Sequence, residues 1–135
     1  VVSVLDLLEA GSLLVIDYTS TTLEMATRPV TEWLRTYCGH NSGNSPLYLP
    51  GSQDITVEVA FDQLPNGFTM TSQADFMETW GISDLVFEGH RIWEESASVG
   101  DLRAVKARSR ISEAEALCDL SGLGSFSAIE WKVGC

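Results

Sequence analysis

ITVEVAFDQLPNGFTMT, residues 55–71, is the stretch of the sequence with the clearest structural signal. In its first half, every second residue from Ile55 to Phe61 is apolar and most of the others are polar, which is typical of a half-buried β-strand. A second alternation, from Phe68 to Thr71, follows the turn-forming pair Asn66-Gly67. The stretch therefore predicts a β-hairpin.

Strand-like patterns also occur on both sides of this hairpin. Residues 13–19 form an apolar, β-prone run, and residues 125–133 alternate between apolar and polar positions. Residues 84–94 predict a second hairpin centred on Gly89, and residues 102–108 predict a further strand.

Short helices are predicted at three places. Residues 3–9 begin with Ser3 as an N-cap, residues 31–38 carry apolar side chains at helical spacing, and a capping box formed by Ser112 and Glu115 opens a helix over residues 112–118. Many short strands with few helices favour a mainly β fold. We expect a compact β-sandwich or barrel-like domain with two or three short helices.

The charge balance restricts the partners of the chain. Its 135 residues include 19 Asp and Glu against 8 Lys and Arg, which gives a net charge of -11. Because nucleic-acid affinity comes largely from basic groups that neutralise phosphates, we expect no nucleic acid to bind this segment. The longest apolar run, residues 13–16, is far shorter than the roughly 20 residues that cross a bilayer, so membrane insertion is not expected.

The start of the sequence indicates how the chain is organised. It begins with Val1-Val2, without a methionine or a signal-peptide pattern. A chain of this length can form a single core. We therefore expect residues 1–135 to be one domain, the C-terminal surface domain of a larger protein, with a linker at residues 1–11.

No segment matches a catalytic, cofactor-binding or metal-binding motif. Cys38 and His40 lie at a predicted helix end, where their side chains are expected to diverge and not to form a nucleophile–base pair. The few Cys and His residues do not offer the paired spacings of a zinc site. The abundant carboxylates are typical of a solvated acidic face, although they could also bind Ca²⁺. The sequence thus predicts no catalytic residue, no metal and no cofactor.

Basic residues are concentrated between Arg103 and Arg110, which hold half of all Lys and Arg. On a strand, Arg103 would lie on the face opposite Lys106 and Arg108. Such side chains either pair with neighbouring carboxylates or contact an acidic partner or a sulfated or sialylated glycan. The residues predicted to bind a partner are Arg103, Lys106, Arg108, Arg110, Trp80, His40, Asn41 and Asn66.

As a whole, the chain resembles the protruding domain of a small icosahedral RNA-virus capsid protein of the nodavirus and tombusvirus-like group. The resemblance is carried by the apolar entry at residues 1–5, by residues 13–18, by the hairpin at 55–70 and by residues 125–133. It implies a β-structured domain that dimerises or trimerises on the virion surface and contacts a host receptor. The basic RNA-binding arm of that family would lie outside this segment.

The preferred interpretation is a viral capsid surface domain, without enzymatic activity, that mediates capsomer oligomerisation and host-cell attachment. It implies a homo-oligomer and a host receptor or glycan as partners, and a location on the virion surface. One alternative is a small acidic cytoplasmic protein of the inhibitor or immunity type, whose charge would steer it to a basic partner. A further alternative is a small β-rich hydrolase or isomerase with a buried carboxylate.

Overall fold

The computed structural model describes residues 1–134, and Cys135 lies outside the described residues. The chain is 44% helical and 25% strand, and its strands are divided among small sheets. The fold is therefore mixed α/β, and the prediction of a mainly β sandwich or barrel is wrong.

Helices and strands follow one another in runs along the chain, with most of the strands in its first half and the two longest helices in its second. Within residues 1–134 the helices are α1 Val2–Leu5, α2 Thr22–Thr27, α3 Val30–Trp33, α4 Gln73–Thr79, α5 Ile82–Ser96 and α6 Leu102–Cys118. The strands are β1 Gly11–Asp17, β2 Thr19–Ser20, β3 Leu34–Cys38, β4 Asn41–Ser42, β5 Asp54–Val57, β6 Val59–Ala60, β7 Phe68–Ser72 and β8 Ser127–Val133. None of the helices in this part of the chain has the length and apolar character that crossing a membrane requires.

The main sheet has three strands in the order β1-β8-β7, and β8 is antiparallel to both neighbours. On β8, Ile129 is fully buried and Trp131, which pairs in register with Phe68 of β7, is 3% exposed. The predicted strand at residues 125–133 is confirmed as β8, and most of the run at residues 13–19 forms β1.

The hairpin predicted for residues 55–71 does not form, although both halves contain strands. β5 pairs with β3, β6 pairs in parallel with β2, and β7 pairs with β8. The N–H of Glu58 donates to the carbonyl of Trp33 at 2.9 Å, and the N–H of Val59 donates to that of Tyr18 at 3.0 Å. Because a 3₁₀ turn also separates β6 from β7, the loop is longer than a two-residue Asn-Gly hairpin allows.

A second small sheet has the order β4-β3-β5. The helix predicted for residues 31–38 ends at Trp33, and β3 begins at Leu34. Pairing with β5 explains this change, because backbone hydrogen bonds to a neighbouring strand outweigh a weak local helical pattern.

Two long helices, α5 and α6, occupy the segments where a second hairpin and a further strand were expected. Gly89 is in the middle of α5 and is not a turn residue. A Cβ atom at Gly89 would lie 3.2 Å from the carbonyl oxygen of Ala107 and from Ile111, so the glycine lets the two helices approach closely. The second predicted hairpin is therefore wrong.

Helix α6 begins earlier than the capping-box prediction for residues 112–118. The carboxylate of Asp101 accepts a hydrogen bond from the N–H of Ala104 at 2.8 Å and caps the helix. Ala104, Ala107 and Ala114 are buried and recur at helical spacing. This spacing decides the structure of the segment, and the strand predicted for its first residues is wrong.

Much of the molecular surface is apolar and open. The chain exposes 9310 Å², whereas a compact monomer of this mass is expected to expose about 6,900 Å². Leu47 in the loop after β4 is 85% exposed, and Leu102 at the start of α6 is 79% exposed. Large apolar side chains are therefore exposed on several faces of the described residues.

Candidate functional site

A polar cleft of about 360 Å³ lies just beyond the carboxyl end of β1. Parallel pairing of β2 with β6 sets Thr19 beside Val59 and Ser20 beside Ala60, which brings the end of β1 next to Glu58. The cleft is lined by Thr19, Ser20, Glu24, Thr27, Arg28 and Glu58.

An ion pair between Arg28 and Glu58 forms one wall of the cleft. The two guanidinium nitrogens Nη2 and Nη1 of Arg28 donate to the carboxylate oxygens of Glu58 at 2.6 and 3.3 Å. Nη2 also donates to the hydroxyl of Ser20 at 3.0 Å. The hydrogen bond with Glu58 raises the pKa of Arg28, so the guanidinium stays charged and fixed in position.

Glu24 faces the same cleft and is fixed by a capping box at the start of α2. Its Oε2 atom accepts hydrogen bonds from the N–H of Thr21 at 2.8 Å and from the hydroxyl of Ser20 at 3.1 Å, while Thr21 Oγ1 accepts from the N–H of Glu24. The backbone bond from Thr21 is the main reason why the pKa of Glu24 lies below its ordinary value. Glu24 is therefore a permanent carboxylate near neutral pH.

Asp62 anchors the start of α2 from the other side. Its Oδ1 accepts hydrogen bonds from the backbone N–H of Thr22 at 2.8 Å and from the hydroxyl of Thr22 at 3.1 Å. The backbone bond lowers the pKa of Asp62. The two hydrogen bonds from Thr22 to Asp62 keep the first turn of α2, and with it Glu24, in place.

A second cleft of about 400 Å³ lies against β3 and the loop after β4. Arg35, on its wall, lies over the ring of Tyr18 with its guanidinium carbon 5.9 Å from the ring centroid. Tyr18 follows β1 directly and meets the ring of Phe126 edge-on at 5.6 Å. The aromatic contact thus links this cleft to the end of β1.

The chemistry of the polar cleft is that of binding and orientation. It presents one guanidinium, two carboxylates and several hydroxyl groups, all of which can hold a polar ligand by hydrogen bonds. Within residues 1–134, no group of three or more His, Cys, Asp or Glu is arranged to hold a metal ion.

The basic residues singled out in the sequence lie on α6 and are divided between two of its faces. Arg103, Lys106 and Arg110 line one groove between α5 and α6. Arg108 lies elsewhere, over the ring of Trp93 with its guanidinium carbon 5.4 Å from the ring centroid. The expectation that Arg103 lies opposite Lys106 is wrong, because the segment is helical.

The other predicted contact residues are dispersed over the surface. Trp80 follows α4 and is 71% exposed, with its ring centroid 6.1 Å from that of Phe76. His40 and Asn41 lie at the turn between β3 and β4, and Asn66 lies in the loop before β7; all three are exposed. None of the four lines the polar cleft or the α5–α6 groove. Their role in partner binding stays a prediction.

Sequence reasoning did not select the residues of the polar cleft. One signal was available: Thr21 and Glu24 have the spacing of a capping box, which places Glu24 at a helix start. Arg28 and Glu58 are 30 residues apart, and only the pairing of β2 with β6 brings them together.

Comparison with known protein families identifies a match over most of this region. The family model described as "Putative S-adenosyl-L-methionine-dependent methyltransferase" matches residues 2–79, from α1 through α4. All the residues that line the polar cleft lie within this segment. No curated protein matches the chain.

Two crystal structures from Burkholderia thailandensis are similar in fold. One, of an uncharacterized protein, is 25% identical with a TM-score of 0.69, and the match covers 98% of this chain and 35% of that chain. The other, a "likely methyl transferase" bound to S-adenosyl-homocysteine, is 27% identical with a TM-score of 0.68, over 98% of this chain and 34% of that chain. The chain therefore spans about a third of the length of these solved structures.

These findings overturn the functional interpretation of the sequence. The matched family is one of enzymes, so the resemblance to a capsid protruding domain, the role in capsomer assembly and host attachment, the absence of enzymatic activity and the virion-surface location are all wrong. An inhibitor or immunity-type protein and a small β-rich hydrolase or isomerase fit no better. Acidic composition and strand-like patterns are shared by many unrelated folds, and the capsid resemblance depended on them alone.

Proposed function

Because the chain belongs to the family of S-adenosyl-L-methionine-dependent methyltransferases, we propose that it takes part in methyl transfer and that the polar cleft binds the methyl acceptor. The observation that carries this proposal is that the matched segment, residues 2–79, contains the whole cleft.

The methyl donor requires a different kind of site from this cleft. S-adenosyl-L-methionine supplies an activated methyl group, and its adenosyl part calls for a mainly apolar pocket. The walls of the polar cleft are charged and hydroxylic. Within residues 1–134, no glycine-rich turn joins a strand to a following helix, the feature that lets a nucleotide-like group approach the backbone. The polar cleft therefore fits a polar acceptor and does not fit the adenosyl group.

The charges of the cleft indicate which kind of methyl acceptor it would bind. Arg28 and Glu58 largely satisfy each other, whereas Glu24 accepts its hydrogen bonds through Oε2 and leaves Oε1 open within the described residues. An N–H or O–H group that is to be methylated donates a hydrogen bond to this oxygen. Because the pKa of Glu24 is lowered, its carboxylate is ionised near neutral pH and orients the methyl acceptor. The same lowered pKa makes it a weak base, so it does not readily take a proton from that molecule.

The test uses the native gene in the cells that produce the protein. We compare cells with the normal gene, with the gene deleted, and with Glu58→Gln or Arg28→Lys, and measure proteins and small molecules by mass spectrometry. At least one molecule is expected to lose the mass of one methyl group after deletion. Both substitutions are expected to lower its methylated fraction by about tenfold or more, because they misplace the acceptor.

Lys132→Gln on β8 serves as the control, since Lys132 is far along the chain from the cleft and exposed. Immunoblots establish that all variants accumulate to the same level. If deletion changes no methylated molecule, the proposed activity is wrong. If deletion does change one but Glu58→Gln and Arg28→Lys do not, the activity stands and the assignment of the cleft is wrong.

A further inference from the structure

Three basic side chains on α6 differ from the other basic residues of the chain. Within residues 1–134, the other five Lys and Arg residues each contact a carboxylate or an aromatic ring: Arg28, Arg35, Arg91, Arg108 and Lys132. In the same part of the chain, Arg103, Lys106 and Arg110 form neither an ion pair nor a contact with a ring, although the sequence has 19 acidic residues. Their charges are therefore free to bind a negatively charged group of another molecule.

The three side chains form one stripe along α6. Their spacings of three and four residues place them on the same side of the helix. All three are exposed, and they line the groove of about 480 Å³ between α5 and α6. Among the described residues, Glu88 is the one acid on the walls of this part of the groove, and it forms no ion pair. The groove therefore has a net positive charge in a chain whose net charge is -11.

The groove continues beyond its basic half. Arg110 also lines a mainly apolar half of about 230 Å³, in which Leu117 forms part of the wall. Glu113 lies on this wall too, but its Oε1 accepts a hydrogen bond at 2.6 Å from the hydroxyl of Ser109 on the same helix. The two halves together extend along residues 103–117, which is about 20 Å at about 1.5 Å per helical residue.

We propose that the α5–α6 groove binds an acidic segment of another protein, which carries carboxylates in one half and apolar side chains in the other. Charge complementarity selects the carboxylates, because they meet Arg103, Lys106 and Arg110. The apolar side chains lie against Leu85 and Leu117, where they are removed from water. The proposal does not depend on the methyl-transfer activity, because the groove shares no lining residue with the polar cleft.

Other anionic partners match the groove less well. A phosphate or another small anion would fill only a small part of a groove about 20 Å long. A nucleic acid or an anionic membrane would bring many negative charges close to a chain with a net charge of -11. A sulfated glycan has no apolar side chains for the second half of the groove. A protein segment of about 15 residues matches the groove in length and in both halves.

The test measures how a designed peptide binds to the protein produced from its native gene. The peptide has about 15 residues, with glutamates in its first half and leucines in its second half, both at helical spacing. Anisotropy of a fluorescent label on the peptide is expected to give a micromolar dissociation constant that rises with salt concentration. A scrambled peptide of the same composition is expected to bind about tenfold more weakly, because its charges and leucines do not meet the matching halves.

Substitutions in the groove are expected to change this affinity in opposite directions. The double variant Lys106→Gln, Arg110→Gln removes two cations and is expected to raise the dissociation constant by about tenfold or more. Glu88→Gln removes the acid from the basic half and is expected to lower it by about threefold. The matched control, Arg91→Gln with Lys132→Gln, also removes two cations, but both are ion-paired outside the groove. It is expected to stay within about twofold of the wild type.

The other possible occupants of the groove give different results. If a second copy or another part of the same protein covers the groove, the wild type does not bind the peptide even at high micromolar concentration, and the proposal is overturned. Binding of a heparin hexasaccharide without binding of the peptide would overturn it in favour of a glycan. Equal binding of the designed and scrambled peptides would equally contradict it, as would an equal loss of affinity in the groove variant and the control pair. Circular dichroism establishes that all variants keep their helix content.

Discussion

The main sheet and the α5–α6 hairpin bury different kinds of side chain. At the centre of the sheet, the ring of Trp131 meets that of Phe68 edge-on at 5.4 Å, and its indole N–H donates to the carbonyl of Pro65 at 3.0 Å. The hairpin is joined instead by small residues, with Gly89 of α5 against Ala107 of α6. The sheet gains stability by removing a large apolar area from water, and the hairpin gains it by the close approach of two backbones.

Because of this difference, opposite kinds of substitution are expected to destabilise the two regions. A core of large side chains loses stability when a side chain is shortened, because a cavity remains. An interface of small side chains loses stability when one is enlarged, because the helices must separate. The substitutions below test both statements, each against a control on an exposed position.

Trp131→Ala is expected to have the largest effect. It removes a buried aromatic side chain together with its hydrogen bond to Pro65, and we expect the free energy of unfolding to fall by about 4 kcal/mol. Trp80→Ala, at a side chain that is 71% exposed, is expected to cost about 0.5 kcal/mol or less. Urea unfolding followed by far-UV circular dichroism measures both. Equal losses would show that the sheet is not the main core.

Ala107→Leu tests the contact between α5 and α6 by enlarging a buried side chain. Ala107 is 2% exposed where α5 crosses α6, and we expect the larger side chain to lower the free energy of unfolding by about 2 kcal/mol. Ala116→Leu, at an exposed position of the same helix, is expected to change it by less than about 0.5 kcal/mol. If urea unfolding finds the two variants equally stable, the close helix contact is wrong.

The same difference explains which elements could be predicted from the sequence. Strand β8 was predictable, because large apolar residues such as Ile129 and Trp131 alternate with charged ones. Helix α5 did carry a helical signal that the hairpin prediction overlooked, since Ile82, Val86, Ile92 and Trp93 recur at helical spacing. Helix α6 was harder to predict, because its buried face consists of alanines, which contribute little to an apolar pattern. The hairpin at residues 55–71 failed for another reason: the strands are present, but the choice of a pairing strand is decided by distant segments.

The candidate site also has a part that can be predicted from the sequence and a part that cannot. The capping box of Thr21 and Glu24 is local, and its spacing can be read directly from the sequence. The ion pair of Arg28 with Glu58 joins residues that only the pairing of β2 with β6 brings together. Local geometry is therefore predictable from one sequence, whereas a cleft built from distant segments requires the fold.

Asp101→Ala is expected to have a moderate effect on the hairpin. Asp101 caps α6 by accepting a hydrogen bond from the N–H of Ala104, and without it the free energy of unfolding is expected to fall by about 1 kcal/mol. Asp101→Asn keeps a capping oxygen and is expected to stay within about 0.3 kcal/mol of the wild type. Thermal unfolding of the two variants measures the difference. A loss shared by both would assign the effect to the charge and not to the cap.

Acid is expected to have the smallest effect, and to act on surface carboxylates such as Glu24, Asp62 and Asp119 while sparing the core. Within residues 1–134, none of the buried residues carries an ionisable side chain. The pKa values of Glu24 and Asp62 are instead lowered on the surface by backbone hydrogen bonds. Because these carboxyls bind protons more readily in the unfolded chain, they add stability at neutral pH and lose that contribution in acid, Glu24 below its ordinary value of 4.5 and Asp62 below its ordinary value of 3.8.

Glu24→Gln isolates this contribution, because the amide keeps a hydrogen-bond-accepting oxygen but does not titrate. The urea midpoint of the wild type is expected to stay level near neutral pH and to fall in acid, and that of Glu24→Gln is expected to fall less steeply over the same range. Identical acid profiles would mean that Glu24 has the same pKa in the folded and unfolded chain. The capping box would then hold the start of α2 without stabilising the charged form of Glu24, and the argument that this carboxylate orients an acceptor near neutral pH would lose its electrostatic basis.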